Sequence, residues 1–100
     1  MTKGSTDTMS RAVSRETNRE ANLTVTYAEI TALAEQAMTE EMGRARAAHD
    51  RGNRAAQIHA ANWAVGEFLM WRRIAYAMNV PHEQLAADRD RLEALTEAIQ

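Results

Sequence analysis

His49, His59 and His82 are the side chains of this 100-residue sequence best suited to holding a metal or moving a proton, and their spacing suits neither task. They fall on three different segments, and none stands in an ExxH or HExxH relation that would put a second ligand on the same helical face. The carboxylate pairs Glu40–Glu41 and Asp88–Asp90 do not form an acid/base couple. Side chains one or two positions apart point to different sides of a helix, so these pairs read as solvated charge, Glu41 excepted. The absence of cysteine removes thiolate nucleophiles, disulfides and soft-metal sites together. No GxxxxGK[ST], GxGxxG or GxSxG stretch is present to cradle phosphate or present a serine nucleophile. The expectation is a protein that is not an enzyme, with no cofactor, no metal and no small-molecule substrate.

The other chemistry on offer is charge. GRARAAHDRGNR, residues 43 to 54, carries Arg44, Arg46, Arg51 and Arg54 with only Asp50 against them. Four guanidiniums at one tip are a candidate phosphate site, and a helix that begins there adds the positive end of its dipole. An ordinary solvated turn is the plainer reading. IAYAMNVPHEQL, residues 74 to 85, resembles the helix-turn-helix pattern, with Ile74, Ala75, Met78, Asn79, Val80 and Leu85 near the positions that want apolar, small or turn-forming residues. The segment that would read DNA exposes Glu83, Asp88 and Asp90, which repel phosphate, so a plain helical corner is expected.

The elements that position these residues are helical. One proline, four glycines, 45% hydrophobic residues and abundant alanine, glutamate and arginine favour helix over strand. At VTYAEI, Thr26 is placed to cap a helix, with Glu29 three residues later reaching back to the cap amide. The apolar period then runs to DRGN, where Gly52 ends the first helix and Asn53 caps the next. NVP makes the second break, with Asn79 suited to a left-handed exit and Pro81 to a first helical turn. The spacing predicts an all-α fold, an up-down-up antiparallel three-helix bundle with helices over about 27–49, 54–78 and 81–99 in a domain of residues 25–100. Residues 1–24 form a polar N-terminal arm, flexible or docked, on which Arg11, Arg15 and Arg19 recur at four-residue spacing.

The second helix has more apolar circumference than a middle helix needs. Ile58, Val65, Leu69 and Tyr76 fall on one line, and Trp63, Met70, Ile74 and Met78 on the opposite side. In the antiparallel register set by a short turn, the first line faces the first helix, pairing Tyr27 with Tyr76, Ala34 with Leu69, Met38 with Val65 and Ala45 with Ile58. The same register sets Glu41 against Asn62, a polar layer that fixes the pairing of the helices. The third helix offers only Leu85, Leu92, Leu95 and Ile99, interrupted at Asp88, which is too narrow a stripe to cover the second line.

The surplus is a contact surface of Trp63, Glu67, Met70, Trp71 and Ile74, with Glu67 awaiting an arginine, either Arg89 or one from another chain. The functional expectation is therefore a small protein–protein interaction module that associates with itself, as a dimer, or with a larger partner. It would be a regulator, inhibitor or assembly component, and the alanine- and arginine-rich composition suits a bacterial or phage source. The alternative is a nucleic-acid-binding accessory using the arginine tip and the arm. MTKGSTDTMSRAVSRE lacks the apolar segment of a signal peptide, and no run elsewhere spans a membrane, so no membrane association and a cytoplasmic location are expected. A formal charge of −2 gives the whole molecule no strong field towards nucleic acid or acidic lipid.

Overall fold

A computed structural model describes residues 24–97 as three helices, α1 (Tyr27–Asp50), α2 (Arg54–Ala77) and α3 (His82–Leu95), arranged as an all-α bundle in which α1 packs on both others. Residues 1–23, with most of the expected arm and Arg11, Arg15 and Arg19, lie outside the described residues, as does Ile99.

Local chemistry sets the boundaries. The Thr26 hydroxyl accepts from the Glu29 amide at 3.1 Å while the Thr26 amide donates to the Glu29 carboxylate at 3.2 Å, satisfying two otherwise orphaned donors. At the first turn Gly52 takes φ +73°, a left-handed conformation that glycine adopts without a steric cost. The Asn53 side chain then accepts from the Ala56 amide at 3.1 Å and starts α2. Asn79 leaves α2 at φ +56°, as its type allows. Pro81 stands just outside α3 in an extended conformation, one residue before its expected place inside the first turn.

α3 is shorter than the sequence period suggests. It ends at Leu95, where the Thr96 hydroxyl donates to the Glu93 carbonyl at 2.7 Å and the Thr96 amide bonds the same oxygen at 3.0 Å. A hydroxyl that competes for a helix carbonyl favours termination there.

The core lies at the end of the hairpin remote from the α1–α2 turn. Met38, Phe68, Trp71, Ala75 and Leu92 are buried together, with Tyr27, Ile30, Ala34, Leu85 and Leu95 packed around them. Trp71 is 2% exposed and its indole donates to the buried Thr31 hydroxyl at 2.9 Å. The Phe68 ring stacks on Trp71 with centroids 6.0 Å apart, and the Tyr27 ring lies tilted against the indole at 6.4 Å. Towards the turn, α1 and α2 meet through smaller residues, Met42, Ala45 and Ala48 against Ala60 and Ala64.

The face of α2 that meets α1 is not the expected one. Ile58, Val65, Leu69 and Tyr76 are 46, 37, 44 and 51% exposed, while Ala60, Ala64, Phe68, Trp71 and Ala75 are buried. The antiparallel register holds to within about one turn, as the Thr31–Trp71 and His49–Gln57 contacts show. It is the rotation of α2 that differs, by about a third of a turn. Alanine explains the choice: a face of alanines lets two helix axes approach closely, so the aromatic pair below them can interleave with Met38.

Candidate functional site: the open face of the helical hairpin

α3 covers one side of the α1–α2 hairpin and is pinned there by side-chain bonds. The Tyr27 hydroxyl donates to Asp88 at 2.6 Å, Arg91 donates to Asp88 at 2.6 Å and to Glu35 at 3.1 Å, and Arg89 donates to the Tyr76 hydroxyl at 3.4 Å. Burial alone would raise the pKa of Asp88, but the hydrogen bonds from Tyr27 and Arg91 outweigh it and hold the carboxyl below its ordinary value. Burial, and then the bond donated to Asp88, push the Tyr27 phenol up to about 12. The aspartate that interrupts the apolar stripe of α3 is thus the fastening point between α3 and α1.

The other side of the hairpin is lined by α1, α2 and their turn, with no α3 residue. Near the core it forms an apolar hollow of about 340 Å³ bounded by Ile30, Leu33, Ala37, Met70 and Ile74. Near the turn it continues as a hollow of about 620 Å³ floored by Ala47, Ala48, Ala55, Ala56 and Ala60, with Glu41, Arg44, Arg51 and His59 along it. Gly66 and Trp63 stand between the two. Trp63 is 58% exposed and Met70 60%, whereas side chains of this size normally hide most of their apolar area. The Trp63 indole donates to His59 Nε2 at 2.9 Å, which places the neutral ring's proton on Nδ1.

Glu67 sits in the floor of this groove with its Oε1 buried and without a hydrogen-bond partner among the described residues. Burial raises its pKa, and the neighbouring Glu41 raises it further, against a smaller opposing effect from Arg44. A carboxylate oxygen withdrawn from water without a donor is costly unless the group is protonated or a cation reaches it. Arg89, the expected intramolecular partner, is instead held by Tyr76 and Asp90 on the α3 side.

The sequence-expected contact set is therefore split. The structure brings Trp63, Glu67, Met70 and Ile74 to one face, but Trp71 is a core residue and is not available to a partner. Trp71 lies on the inward line of α2 with Ala64 and Ala75, and its indole is already bonded inside. The expected Glu41–Asn62 layer is not formed. Glu41 pairs with Arg44 one turn away on its own helix, and Asn62 is exposed, turned outward by the same rotation of α2 that exposes Val65. The residue that shares Glu41's surroundings is Glu67.

The tip arginines are not gathered either. Arg44 and Arg51, seven positions apart and so on one face, both line the groove, whereas Arg46 and Arg54 do not. Ile30 and Ala37, which the helical period places on the apolar face of α1, line the groove as well, and with them Leu33, which lies one position off that period. Among the described residues no three histidine or carboxylate side chains cluster as a metal site requires, and no helix is long and apolar enough to cross a membrane.

No family model matches the chain, and neither curated proteins nor solved structures give a significant match.

Proposed function

We propose that this protein is a helical protein–protein interaction module whose docking face is the groove opposite α3, serving as a regulator, inhibitor or assembly component. The observation that carries the reading is the unpartnered carboxylate oxygen of Glu67 in the floor of an apolar groove. A third helix already fills the corresponding position on the other side of the hairpin, and the groove has the same geometry, two antiparallel helices waiting for another. Trp63, Met70 and Ile74 supply the aromatic and flexible apolar anchors typical of interface centres. A photoreactive phenylalanine analogue placed at Trp63 or Met70 of the full chain should give covalent protein adducts in the producing cell, while the same group at the outward-facing Arg73 should not. Adducts that form equally from all three positions, or from none, contradict the assignment.

A second reading has narrower support. Arg46, Arg51 and Arg54 are exposed and make no ion pair among the described residues, so they are free to meet phosphate. Binding to nucleic acid would then weaken steeply with salt and vanish when Arg44, Arg46, Arg51 and Arg54 become glutamine; salt-insensitive binding counts against it.

A further inference from the structure

Taking the groove as a docking face, we infer that its occupant is a second copy of this chain, turned end for end, whose Arg44 reaches Glu67 while its own Glu67 receives Arg44 in return. An isologous interface requires a surface complementary to itself, and the groove meets that requirement in both shape and charge.

The shape is asymmetric along its length. The core end is lined by large apolar side chains, Ile30, Leu33, Met70 and Ile74, and the turn end is wider and floored by alanine, with Glu41, Arg44, Arg51 and His59 along it. A copy reversed about a twofold axis across the groove lays its bulky end in the other's alanine hollow and accepts the same in return. Large residues then meet small ones, as interdigitated layers require. A copy laid parallel would set bulk on bulk and hollow on hollow.

The charges fix where that axis crosses. The Thr31–Trp71 and His49–Gln57 contacts set the hairpin register and place Trp63 level with Glu41. Glu67 lies about one turn from that level towards the core, and Arg44 about one turn from it towards the hairpin turn. An axis at the level of Trp63 therefore exchanges the two heights: each Arg44 arrives at the height of the other copy's Glu67. Arg44 has the freedom to make the move, because its side chain is 64% exposed and among the described residues its ion pair is with Glu41 on its own helix. The two exposed Trp63 indoles meet at the axis, at the centre of the interface where aromatic anchors act most strongly.

The test is the mass of the full chain by sedimentation equilibrium over a range of concentration, with helical content followed by circular dichroism for every variant. The wild-type chain should be a reversible dimer, and Trp63→Ala should weaken it at least about tenfold without loss of helix. Glu67→Arg alone and Arg44→Glu alone should each be monomeric, since each sets like charges face to face at both contacts. Mixed together they should form a heterodimer, in which both contacts are again of opposite sign. Should Glu67→Arg fail to fold, the pair Glu67→Gln and Arg44→Gln carries the test, each weakening the dimer and the double variant weakening it by less than the sum.

A wild-type chain that is monomeric at every concentration overturns the second copy as occupant while the groove stands as a docking face. A monomer whose Trp63 indole is nonetheless shielded from acrylamide overturns it in favour of residues 1–23 of the same chain. A dimer indifferent to Trp63→Ala and to the charge exchange uses another surface, and both the inference and the groove assignment fall.

Discussion

Asp88 and Glu67 are two carboxylates withdrawn from water on opposite sides of one helical hairpin, and the hairpin treats them in opposite ways. Asp88 receives hydrogen bonds from Tyr27 and Arg91 and is held below its ordinary pKa; Glu67 has an oxygen with no donor, lies near Glu41, and is held above its own. The two tryptophans divide in the same way. Trp71 is sealed in the core and bonded to Thr31, while Trp63, about two turns earlier on the same helix, stands out from the groove. Where α3 packs on the hairpin the withdrawn carboxylate is satisfied, and in the groove it is not. Burial on the α3 side is matched by polar satisfaction, and at Glu67 it is not; that difference is the ground for the proposed docking face.

The largest expected difference is between the indoles. Trp71→Ala should lower stability in urea by about 3–5 kcal/mol, through the cavity it leaves and the loss of the Thr31 bond. Trp63→Ala should change the stability of the dissociated chain by no more than about 0.5 kcal/mol. Comparable losses would mean that both faces are core and would erase the distinction.

Next comes the fastening of α3. Asp88→Ala should cost about 1–3 kcal/mol, because it leaves the Tyr27 hydroxyl without its acceptor and Arg91 with Glu35 alone. A change near zero would show that α3 is held by Leu92 and its neighbours alone.

The pH profile sharpens the comparison further, since the two carboxyls act with opposite sign. Glu67 has a raised folded-state pKa, so its contribution is fully present below its ordinary value of 4.5 and is lost as pH rises through the raised one. Asp88 has a depressed pKa, so its contribution is present above its ordinary value of 3.8 and is lost as pH falls through the depressed one. Stability of the dissociated chain should therefore rise modestly on acidification towards 4.5 and fall below 3.8. At the alkaline end, the Tyr27 phenol is raised, so its contribution is present below 10.0 and is lost as pH climbs towards about 12. A denaturation series across pH checks all three signs, and a monotonic fall from neutral pH downward would contradict the account of Glu67.

The smallest effect belongs to Glu67→Gln. In the dissociated chain at neutral pH it should stabilise by no more than about 1 kcal/mol, because it removes the charge and leaves a polar group in place. The modest rise on acidification should disappear with it.

How much of this was legible in the sequence follows the range of the interactions involved. The Thr26–Glu29 capping box, Gly52, Asn53 and Asn79 are local features, each set by residues within a turn of one another, and they located α1, α2 and the breaks between them. The rotation of α2 is not local. Ranking its faces by side-chain size points to Ile58, Val65, Leu69 and Tyr76, yet the structure buries the line through Ala60 and Ala64. Close approach of two helices rewards small residues, and hydrophobicity alone does not register that gain. The same rotation put Trp71 inside and Asn62 outside, which is why one expected anchor is core and the expected polar layer is absent.

The surplus of apolar surface on α2 was legible because it follows from counting residues round a helix. The contribution of Ile30, Leu33 and Ala37, and the meeting of Glu67 with Glu41, required the side of the hairpin that α3 leaves open. Nothing in the sequence of α3 selects that side except Asp88 and Arg91, which find Tyr27 and Glu35 only once the helices are packed.

The claim that the groove is closed by a second copy is tested most directly by the environment of Trp63. With Trp71→Phe, Trp63 becomes the only indole in the chain. Its emission and its quenching by acrylamide are then followed as the full-length protein is concentrated. The account expects long-wavelength emission and ready quenching in dilute solution, giving way to shorter-wavelength emission and protection over the concentration range in which the mass doubles. An indole equally quenched at every concentration, or a doubling of mass that leaves its emission unchanged, would contradict it.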